Sequence, residues 1–231
     1  MTILYLVRHG ETGGNFEGRF QGITDNPLNE AGIRQAQMLG MALSLSQVNV
    51  LYTSPLLRAR QTAEIIAQMH GLQKLTPIVE PGLIELNGGK LEGQKFSDIA
   101  KEYPEVMDAM HNHPATLECP GGETMRQVSE RVVKTIDHLV EQNRGKVIVA
   151  VSHGILISSY IHFASGRPFE EMSTCMVANA SVSKFLFNEE MIVCMEYADD
   201  RRHMTHGSYL TTKSFDQPEP ENPDPYAVPS N

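Results

Sequence analysis

The chain opens with TILYLV at residues 2–7 and continues with RHGET at residues 8–12. The apolar run predicts a buried strand, which places Arg8 and His9 at the carboxyl end of that strand. In open α/β sheets, ligands bind at this end of the strands. A histidine beside a permanently charged arginine, followed by a glycine that lets backbone come close, suits an anionic phosphate. On these residues alone, the alternative is a strand edge with two solvated polar side chains.

Length and composition are those of an ordinary globular protein. The 231 residues are 41% hydrophobic and 20% charged, which is enough for one large domain or two small ones with a core that needs no disulfide or metal. The cysteines Cys119, Cys175 and Cys194 lie far apart, and no C-x-x-C spacing occurs. We therefore expect free thiols in a reducing compartment, without a zinc site or a disulfide framework.

Charge and hydropathy limit the partners. The formal net charge is -9 and there is no basic stretch, which disfavours nucleic-acid binding because that affinity rests on phosphate neutralisation. The first apolar run is too short for a signal peptide, and no run approaches the roughly 18 apolar residues of a membrane span. We expect a cytoplasmic, soluble protein with no membrane partner, and an anionic substrate would need a local basic pocket. The oligomeric state is open.

Strand and helix patterns alternate along the chain. Strands are predicted at residues 3–7, 48–53, 78–79 and 146–151, with a closing hairpin at 181–187 and 191–197. The predicted helices are one capped by Asn29 and reaching Leu43, one that starts at Ser54-Pro55 and ends near His70, a region at 96–113 broken by Pro104, and two at 123–141 and 155–163. This order predicts a three-layer α/β/α sandwich whose sheet is mostly parallel with an antiparallel edge.

One domain is predicted over residues 1–213, since no repeat or linker interrupts it. Residues 214–231 contain five prolines and four acidic residues without Lys or Arg, which predicts a disordered or extended tail, solvated rather than partner-binding. The interval 86–122 has weak periodicity, and we expect it to pack over one edge of the sheet.

Four polar sites follow predicted strands in the same way. Arg8 and His9 follow the first strand, Arg58 lies in the helix after the second, Glu85 follows 78–79, and His153 follows 146–151. If these strands are parallel, all four sites emerge at one end of the sheet. His9 and His153 would then meet despite their separation in sequence.

These residue types fit phosphoryl transfer. Such a reaction needs neutralised oxygens, a positioned nucleophile and a proton donor for the leaving alkoxide. A neutral imidazole can attack phosphorus and form a covalent phosphohistidine. Arginine offers permanently charged bidentate contacts, and a carboxylic acid near the phosphate would have a raised pKa and could donate a proton.

The ordered motifs resemble those of the histidine phosphatase superfamily, also called the phosphoglycerate mutase-like family. The resemblance rests on RHGET at 8–12 with Asn15, SPLLRARQTA at 54–63, LIE at 83–85 with LEG at 91–93, PGGE at 120–123, and SHG at 152–154. It covers roughly residues 2–197 and implies the phosphoglycerate mutase-like form of the predicted α/β sandwich.

The resemblance also implies residue roles. His9 would be the phosphorylated nucleophile, while Arg8, Arg58 and His153 would clamp the phosphoryl oxygens. Glu85 would be the general acid and then the base that activates water. In addition, it implies phosphate-pocket positions for Asn15, Gln21 and the Gly154 N–H. No metal and no cofactor are implied, because the basic residues would neutralise the charge.

Other polar residues have weaker patterns. His111 and His113 form an H-x-H without a matching third ligand, which favours a solvated helix end. Arg201 and Arg202 could reach an acidic substrate, although solvation is the commoner outcome. Glu11 could simply orient its loop.

The family divides between phosphatases and phosphoglycerate mutases. Mutases typically carry Trp where this chain has Gly14, and a longer insertion with paired basic residues after the glutamate. Here the chain has no Trp, and the interval 86–122 offers only Lys90, Lys95 and Lys101. We therefore expect a metal-independent phosphomonoesterase acting on a small phosphorylated metabolite. The alternatives are a phosphoglycerate mutase and a non-catalytic phosphate-binding member.

Overall fold

The computed structural model describes residues 1–43, 47–69, 75–174 and 177–206. His70, Cys175 and the predicted tail at 214–231 lie outside the described residues. Within the described part, no helix is long and apolar enough to cross a membrane.

A six-stranded sheet forms the centre of the fold, in the spatial order β3-β2-β4-β1-β5-β6. Its strands are β1 (Thr2–Arg8), β2 (Val50–Thr53), β3 (Ile78–Val79), β4 (Val147–Ser152), β5 (Val182–Phe187) and β6 (Val193–Asp200). The first four in this order are mutually parallel, whereas β5 runs antiparallel to both β1 and β6. The predicted mostly parallel sheet with an antiparallel edge is confirmed.

Helices cover both faces of the sheet. Those described are α1 (Gly13–Phe16), α2 (Glu30–Leu43), α3 (Leu57–Met69), α4 (Phe96–Glu102), α5 (Pro104–Asn112), α6 (Met125–Gln142), α7 (Gly154–Ala164) and α8 (Arg202–His206). Alternate residues of β1 point to opposite faces: Tyr5 and Val7 pack with α2 and α3, while Leu4 and Leu6 pack with α6 and α7. The chain is therefore the three-layer α/β/α sandwich that was predicted.

Of two predicted helix starts, that of α2 is confirmed and that of α3 is wrong. As predicted, the Asn29 side chain caps α2 by accepting the Gly32 N–H at 2.8 Å. The predicted start at Ser54-Pro55 was wrong, because α3 begins at Leu57. The Asp25 carboxylate accepts the Leu57 N–H, so a residue distant in sequence caps this helix.

The interval 86–122 is more deeply integrated than an edge covering. It contains α4 and α5, and its Leu91, Ile99 and Leu117 belong to the core that the sheet forms with α6 and α7. This placement brings α4 and α5 beside the carboxyl ends of the parallel strands.

Candidate active site

The two histidines of the motifs meet where β1 and β4 end. Arg8 pairs with Ser152 in the parallel ladder, so the next residues, His9 and His153, emerge side by side. Their ring centroids are 5.2 Å apart with the planes tilted by 59°. The prediction that these distant residues come together is confirmed.

His9 is buried and is held in one tautomer. Its Nδ1 lies 2.7 Å from the Gly10 carbonyl oxygen, which can only accept, so Nδ1 carries the proton. The lone pair is therefore on Nε2, where it accepts the Arg58 Nε–H at 3.1 Å. Burial, followed by the charges of Arg58 and Arg8, holds the pKa of His9 well below its usual value. The imidazole is neutral, as a nucleophile must be.

Arg58 is fully buried and fixed by backbone carbonyls as well as by His9. Its Nη1 donates to the Thr24 oxygen at 2.6 Å and its Nη2 to the Gly22 oxygen at 2.7 Å. Burial lowers the pKa of Arg58 to about 10, which leaves the guanidinium charged at neutral pH. Glu92 in turn anchors the loop that supplies these carbonyls, because its carboxylate accepts the N–H groups of Ile23 and Thr24.

Arg8 lines a cavity at this end of the sheet, together with His9. Its Nη1 donates to the Val177 carbonyl oxygen. Its Nε is buried and has no hydrogen-bond partner among the described residues. A buried cationic N–H without an acceptor is a costly arrangement that a bound anion would relieve.

Glu85 lies at the N-terminus of α7 and lines the same cavity. Its Oε1 accepts the N–H groups of Leu86 at 2.9 Å and Leu156 at 3.1 Å, and its Oε2 accepts that of Ile155 at 3.0 Å. Burial raises the pKa of this carboxyl, while the three N–H groups and the Arg58 charge act in the opposite direction. The net increase favours the protonated form that a general acid requires.

The loop that carries Glu85 is tied to its surroundings on two sides. Ser152 donates its hydroxyl to the Leu83 carbonyl oxygen at 2.7 Å. Arg131 donates to the Ile84 oxygen at 2.6 Å and pairs with Glu123 at 3.0 Å. Thus Glu123, of the PGGE motif, helps to fix the position of Glu85.

His153 is completely buried beside His9. Its Nε2 lies 2.7 Å from the Ser54 hydroxyl, and its Nδ1 has no partner among the described residues. Burial lowers the pKa of His153 well below its usual value, and the charges of Arg58, His9, Arg8 and Arg131 add to this effect. His153 does not line the cavity, and its unpartnered Nδ1 could donate to an anion bound at His9 when that nitrogen carries the ring proton.

Asn15, Gln21 and Gly154, for which the resemblance implies positions in the phosphate pocket, also line the cavity. The Asn15 side chain caps α1 with Thr12, and its Oδ1 also accepts the Asn179 amide at 3.3 Å. Gln21 accepts the Thr12 hydroxyl at 2.8 Å, and its Nε2 is buried without a partner in the described part of the chain. Gly154 is the first residue of α7, ahead of the two N–H groups that bind Glu85.

Two residues that the sequence analysis missed hold the His9 backbone. The carbonyl oxygen of His9 accepts the side-chain amide of Asn179 and the N–H of Ala180, both at 3.1 Å. Ala180 has a positive φ of 57°, which is uncommon for a residue with a side chain. A non-glycine turn residue of this kind has no sequence signature that would have identified it.

Gly10 packs closely against a neighbouring helix. A Cβ at this position would lie 2.4 Å from the carbonyl oxygen of Gly32 in α2. The glycine is therefore required by this helix contact, and its expected closeness to a phosphate stays a prediction.

Beyond these polar residues the cavity has apolar walls that the sequence did not reveal. We call Arg8, His9, Arg58, Glu85 and His153 the polar end of the site. Arg8, His9 and Glu85 line the cavity, whereas Arg58 and His153 do not line it and lie against His9. The opposite part, the apolar end, is formed by Phe20, Phe96, Met110, Leu117, Met125 and Met172. At helical spacing such residues are indistinguishable from ordinary core residues.

The remaining histidines and arginines that the sequence singled out lie outside the polar end. His111 lines the rim of the cavity, so its interpretation as a solvated helix end was incomplete, whereas His113 is exposed. Arg201 and Arg202 pair with Asp199 and Asp200 and do not line the cavity. Within the described ranges, no group of three or more His, Cys, Asp or Glu residues could hold a metal ion.

Comparison with known proteins gives one family. The model of the histidine phosphatase superfamily (branch 1) matches residues 4–200. A Yersinia pestis (strain Pestoides F) protein named "Probable phosphoglycerate mutase GpmB" is 32% identical over 208 residues, which cover 88% of this chain and 95% of the relative.

Solved structures agree with this match. YhfR of Bacillus stearothermophilus superposes with a TM-score of 0.81 at 29% identity, covering 88% of this chain and all of that one. Phosphoserine phosphatase of Entamoeba histolytica, in complex with 3-phosphoglyceric acid, gives 0.74 at 27% identity, with 88% of this chain and 100% of that chain covered. The chain belongs to the histidine phosphatase superfamily.

Proposed function

We propose that this chain is a phosphomonoesterase that acts through a phosphohistidine on His9. The observation that carries the proposal is the state of the His9 ring. Its Nδ1 proton is bound by the Gly10 carbonyl, so the lone pair is on Nε2, where it accepts the Arg58 Nε–H, and His9 itself lines the cavity. An imidazole fixed in this way is oriented for attack on phosphorus.

In the first step, His9 Nε2 attacks the phosphorus atom and the bond from phosphorus to the alcohol oxygen breaks. Protonated Glu85 gives its proton to the departing oxygen, which leaves as the alcohol, and becomes a carboxylate. The Arg58 Nε–H moves from His9 Nε2 to a phosphoryl oxygen as the ester binds, which frees the lone pair for attack. The Arg8 Nε–H, a His153 N–H and the Gly154 N–H donate to the other phosphoryl oxygens. Asn15 and Gln21 add amide donors at the edge of this group.

In the second step, water attacks the phosphorus atom of the phosphohistidine. The Glu85 carboxylate takes a proton from this water, and the bond between phosphorus and Nε2 breaks. Inorganic phosphate leaves, while His9 regains its lone pair and Glu85 its proton. The three backbone N–H groups at Glu85 stabilise its carboxylate between the steps.

Relatives with phosphatase names support hydrolysis as the reaction. The structural neighbours include the phosphoserine phosphatase of Entamoeba histolytica and an α-ribazole phosphatase of Shigella flexneri. Their different substrates show that this fold does not determine the alcohol part.

A phosphoglycerate mutase is the second candidate, because curated relatives carry that name. A mutase must hold the carboxylate and both phosphate positions of its substrate. Of the described lysines in the interval 86–122, namely Lys90, Lys95 and Lys101, none lines the cavity. We therefore favour the phosphatase.

The test is to trap the covalent intermediate. The enzyme is mixed with a radiolabelled phosphate monoester and quenched in base, where phosphohistidine survives, or in acid, where it is lost. We expect an acid-labile label in the native chain and none in His9→Ala, which should lose at least about 10⁴-fold in rate, as enzymes do without their nucleophile. The exposed His138→Ala serves as a control and should retain both label and rate.

Appreciable phosphate release by His9→Ala would contradict the proposal. Rapid interconversion of 3- and 2-phosphoglycerate after priming with bisphosphoglycerate, with little phosphate release, would support the mutase instead. If no monoester labels the native chain, the non-catalytic alternative becomes the better one.

A further inference from the structure

The apolar end of the cavity begins where the phosphoryl-binding residues stop. Phe20, Leu117, Met125 and Met172 contribute buried side chains to it, and Phe96 and Met110 are partly buried. The cavity encloses about 200 Å³, enough for a small organic group beside a phosphate. A phosphate ester seated at the polar end would place its alcohol part against these walls.

The shape of the walls suits a flat or branched hydrocarbon group. The rings of Phe20 and Phe96 pack edge to face with centroids 6.1 Å apart. The three methionines on the other walls have flexible, polarisable side chains that adapt to ligands of different shape. Such walls recognise an apolar group through the area that it buries.

The charges that line the cavity also favour an apolar group over an anionic one. Outside the polar end, Arg19 is the one permanently charged residue among the described residues that line the cavity. Its Nε pairs with Glu17 at 2.6 Å, and its Nη1 donates to the Gly93 oxygen at 2.9 Å. A substrate carboxylate here would lose water without gaining an unpaired cation, which is unfavourable.

The remaining polar side chains that line the cavity carry no permanent charge, and one of them, the buried Ser159 hydroxyl, has no partner among the described residues. The His111 Nδ1 is hydrogen-bonded to the Met107 oxygen at 2.8 Å, and the Thr174 hydroxyl donates to the His111 oxygen at 2.6 Å. The first bond lies within α5, and the second ties α5 to the segment that carries Met172. The rim can therefore accommodate a hydroxyl group, and its one permanent cation among the described residues, Arg19, is already paired with Glu17.

We propose that the natural substrates are phosphate monoesters of uncharged, mainly apolar alcohols, aromatic or branched, in which the phosphate is the only anionic group. This proposal rests on the proposed function and specifies its substrate class. Phe96, Met110 and Leu117 would then determine specificity, although they take no part in the chemistry.

The test compares esters whose leaving alcohols are similar in reactivity. Benzyl phosphate, glycerol 1-phosphate and 3-phosphoglycerate are assayed for phosphate release with the full chain. We expect kcat/KM to be at least about 10-fold higher for benzyl phosphate than for either of the others, since one buried ring contributes roughly that factor or more. An equal or higher kcat/KM for 3-phosphoglycerate would overturn the proposal.

Two variants locate the preference. Met110→Arg places a cation at the apolar end and should reduce the ratio of benzyl phosphate to 3-phosphoglycerate by about 10-fold or more. Met41→Arg, at an exposed position of α2, should leave the ratio unchanged. Should Met110→Arg fail to fold, Leu117→Ala should lower kcat/KM for benzyl phosphate by about 10-fold while glycerol 1-phosphate is little affected.

The two proposals fail in different ways. If no ester gives His9-dependent phosphate release, the proposed function itself is wrong. If release depends on His9 but neither Met110→Arg nor Leu117→Ala changes the ratio between esters, the function stands and the substrate class is wrong.

Discussion

The polar end and the apolar end of the cavity are built by different means. At the polar end, each side chain follows a strand or begins a helix, and backbone atoms fix its orientation: Gly10 for His9, Thr24 and Gly22 for Arg58, and the first turn of α7 for Glu85. At the apolar end, side chains from α4, α5 and α6 pack together with Phe20, Leu117 and Met172 from the connecting segments. The first arrangement permits one geometry, whereas the second can be changed without disturbing the reacting groups.

The largest difference in kcat between a substitution at the polar end and one at the apolar end is expected for Glu85→Gln. Without its general acid the enzyme should lose on the order of 10²–10⁴ in kcat for esters of poor leaving groups. Because burial raises the pKa of Glu85, kcat/KM of the native enzyme should fall as pH rises through that pKa, and the variant should lack this alkaline decrease.

The measurement is the pH profile of kcat/KM for both proteins. Glu102→Gln, an exposed change on α4 near the apolar end, is the matched control and should keep the native profile. A native-like profile in Glu85→Gln would assign the proton transfer to another group.

Arg58→Ala should have the next largest effect, a loss on the order of 10²–10³ in kcat, as for other donors that stabilise transition-state charge. Arg58→Lys should recover little of it, because an ammonium cannot reach His9 and two carbonyls at once. Steady-state kinetics at saturating substrate, with Tm measured alongside, separates catalysis from folding.

The control for this pair is Arg34→Ala, which removes an exposed arginine from α2. If Arg58→Lys were as active as the native enzyme, charge alone would suffice and the forked geometry would be irrelevant.

Substitution by alanine should change stability differently at two glycines that lie next to residues of the polar end, Gly10 and Gly154. Gly10→Ala places a Cβ 2.4 Å from the Gly32 oxygen, so we expect a loss of about 1–3 kcal/mol in the free energy of unfolding. Gly154→Ala places its Cβ 3.4 Å from Arg8, an ordinary contact, and should change stability much less. Denaturant unfolding of the two variants measures the difference, and equal losses would contradict the packing argument.

Acidification should destabilise the protein through the polar end. The pKa values of His9 and His153 are lowered in the folded chain, whereas in the unfolded chain they are near 6.5. Below about pH 6.5 the unfolded chain therefore binds more protons, and stability falls with decreasing pH by up to about 1.4 kcal/mol per pH unit for each histidine.

Tm measured between pH 7.5 and 5.5 tests this expectation. His153→Gln should show a shallower decrease of Tm with pH than the native chain. His138→Gln, at an exposed position of α6, should show the native slope. Equal slopes in all three proteins would mean that the buried rings do not contribute.

The polar end was predictable because its residues sit in contiguous motifs beside strand ends. Once β1, β2, β3 and β4 are taken as parallel, topology brings His9 and His153 together without any knowledge of side-chain packing. The roles assigned to these residues remain predictions for the experiments above.

The apolar end was not predictable in the same way. Met110 and Leu117 follow the spacing of ordinary core residues, and nothing local distinguishes a wall of a cavity from a packed interior. The wrong start of α3 has a similar origin, because the cap comes from Asp25, a residue remote in sequence. The contact of Gly10 with Gly32 likewise depends on how α2 docks against the loop.

The bonds from Val177, Asn179 and Ala180 to Arg8 and His9 have a consequence for the order of assembly. Every motif residue of the polar end has been synthesised once α7 is complete, yet the groups that hold Arg8 and His9 follow later in the chain. During translation, Arg8 and His9 are therefore synthesised early but gain these bonds only after residues 177–180 have been synthesised. A fragment ending after α7 would contain every motif residue and still lack the bonds that hold Arg8 and His9.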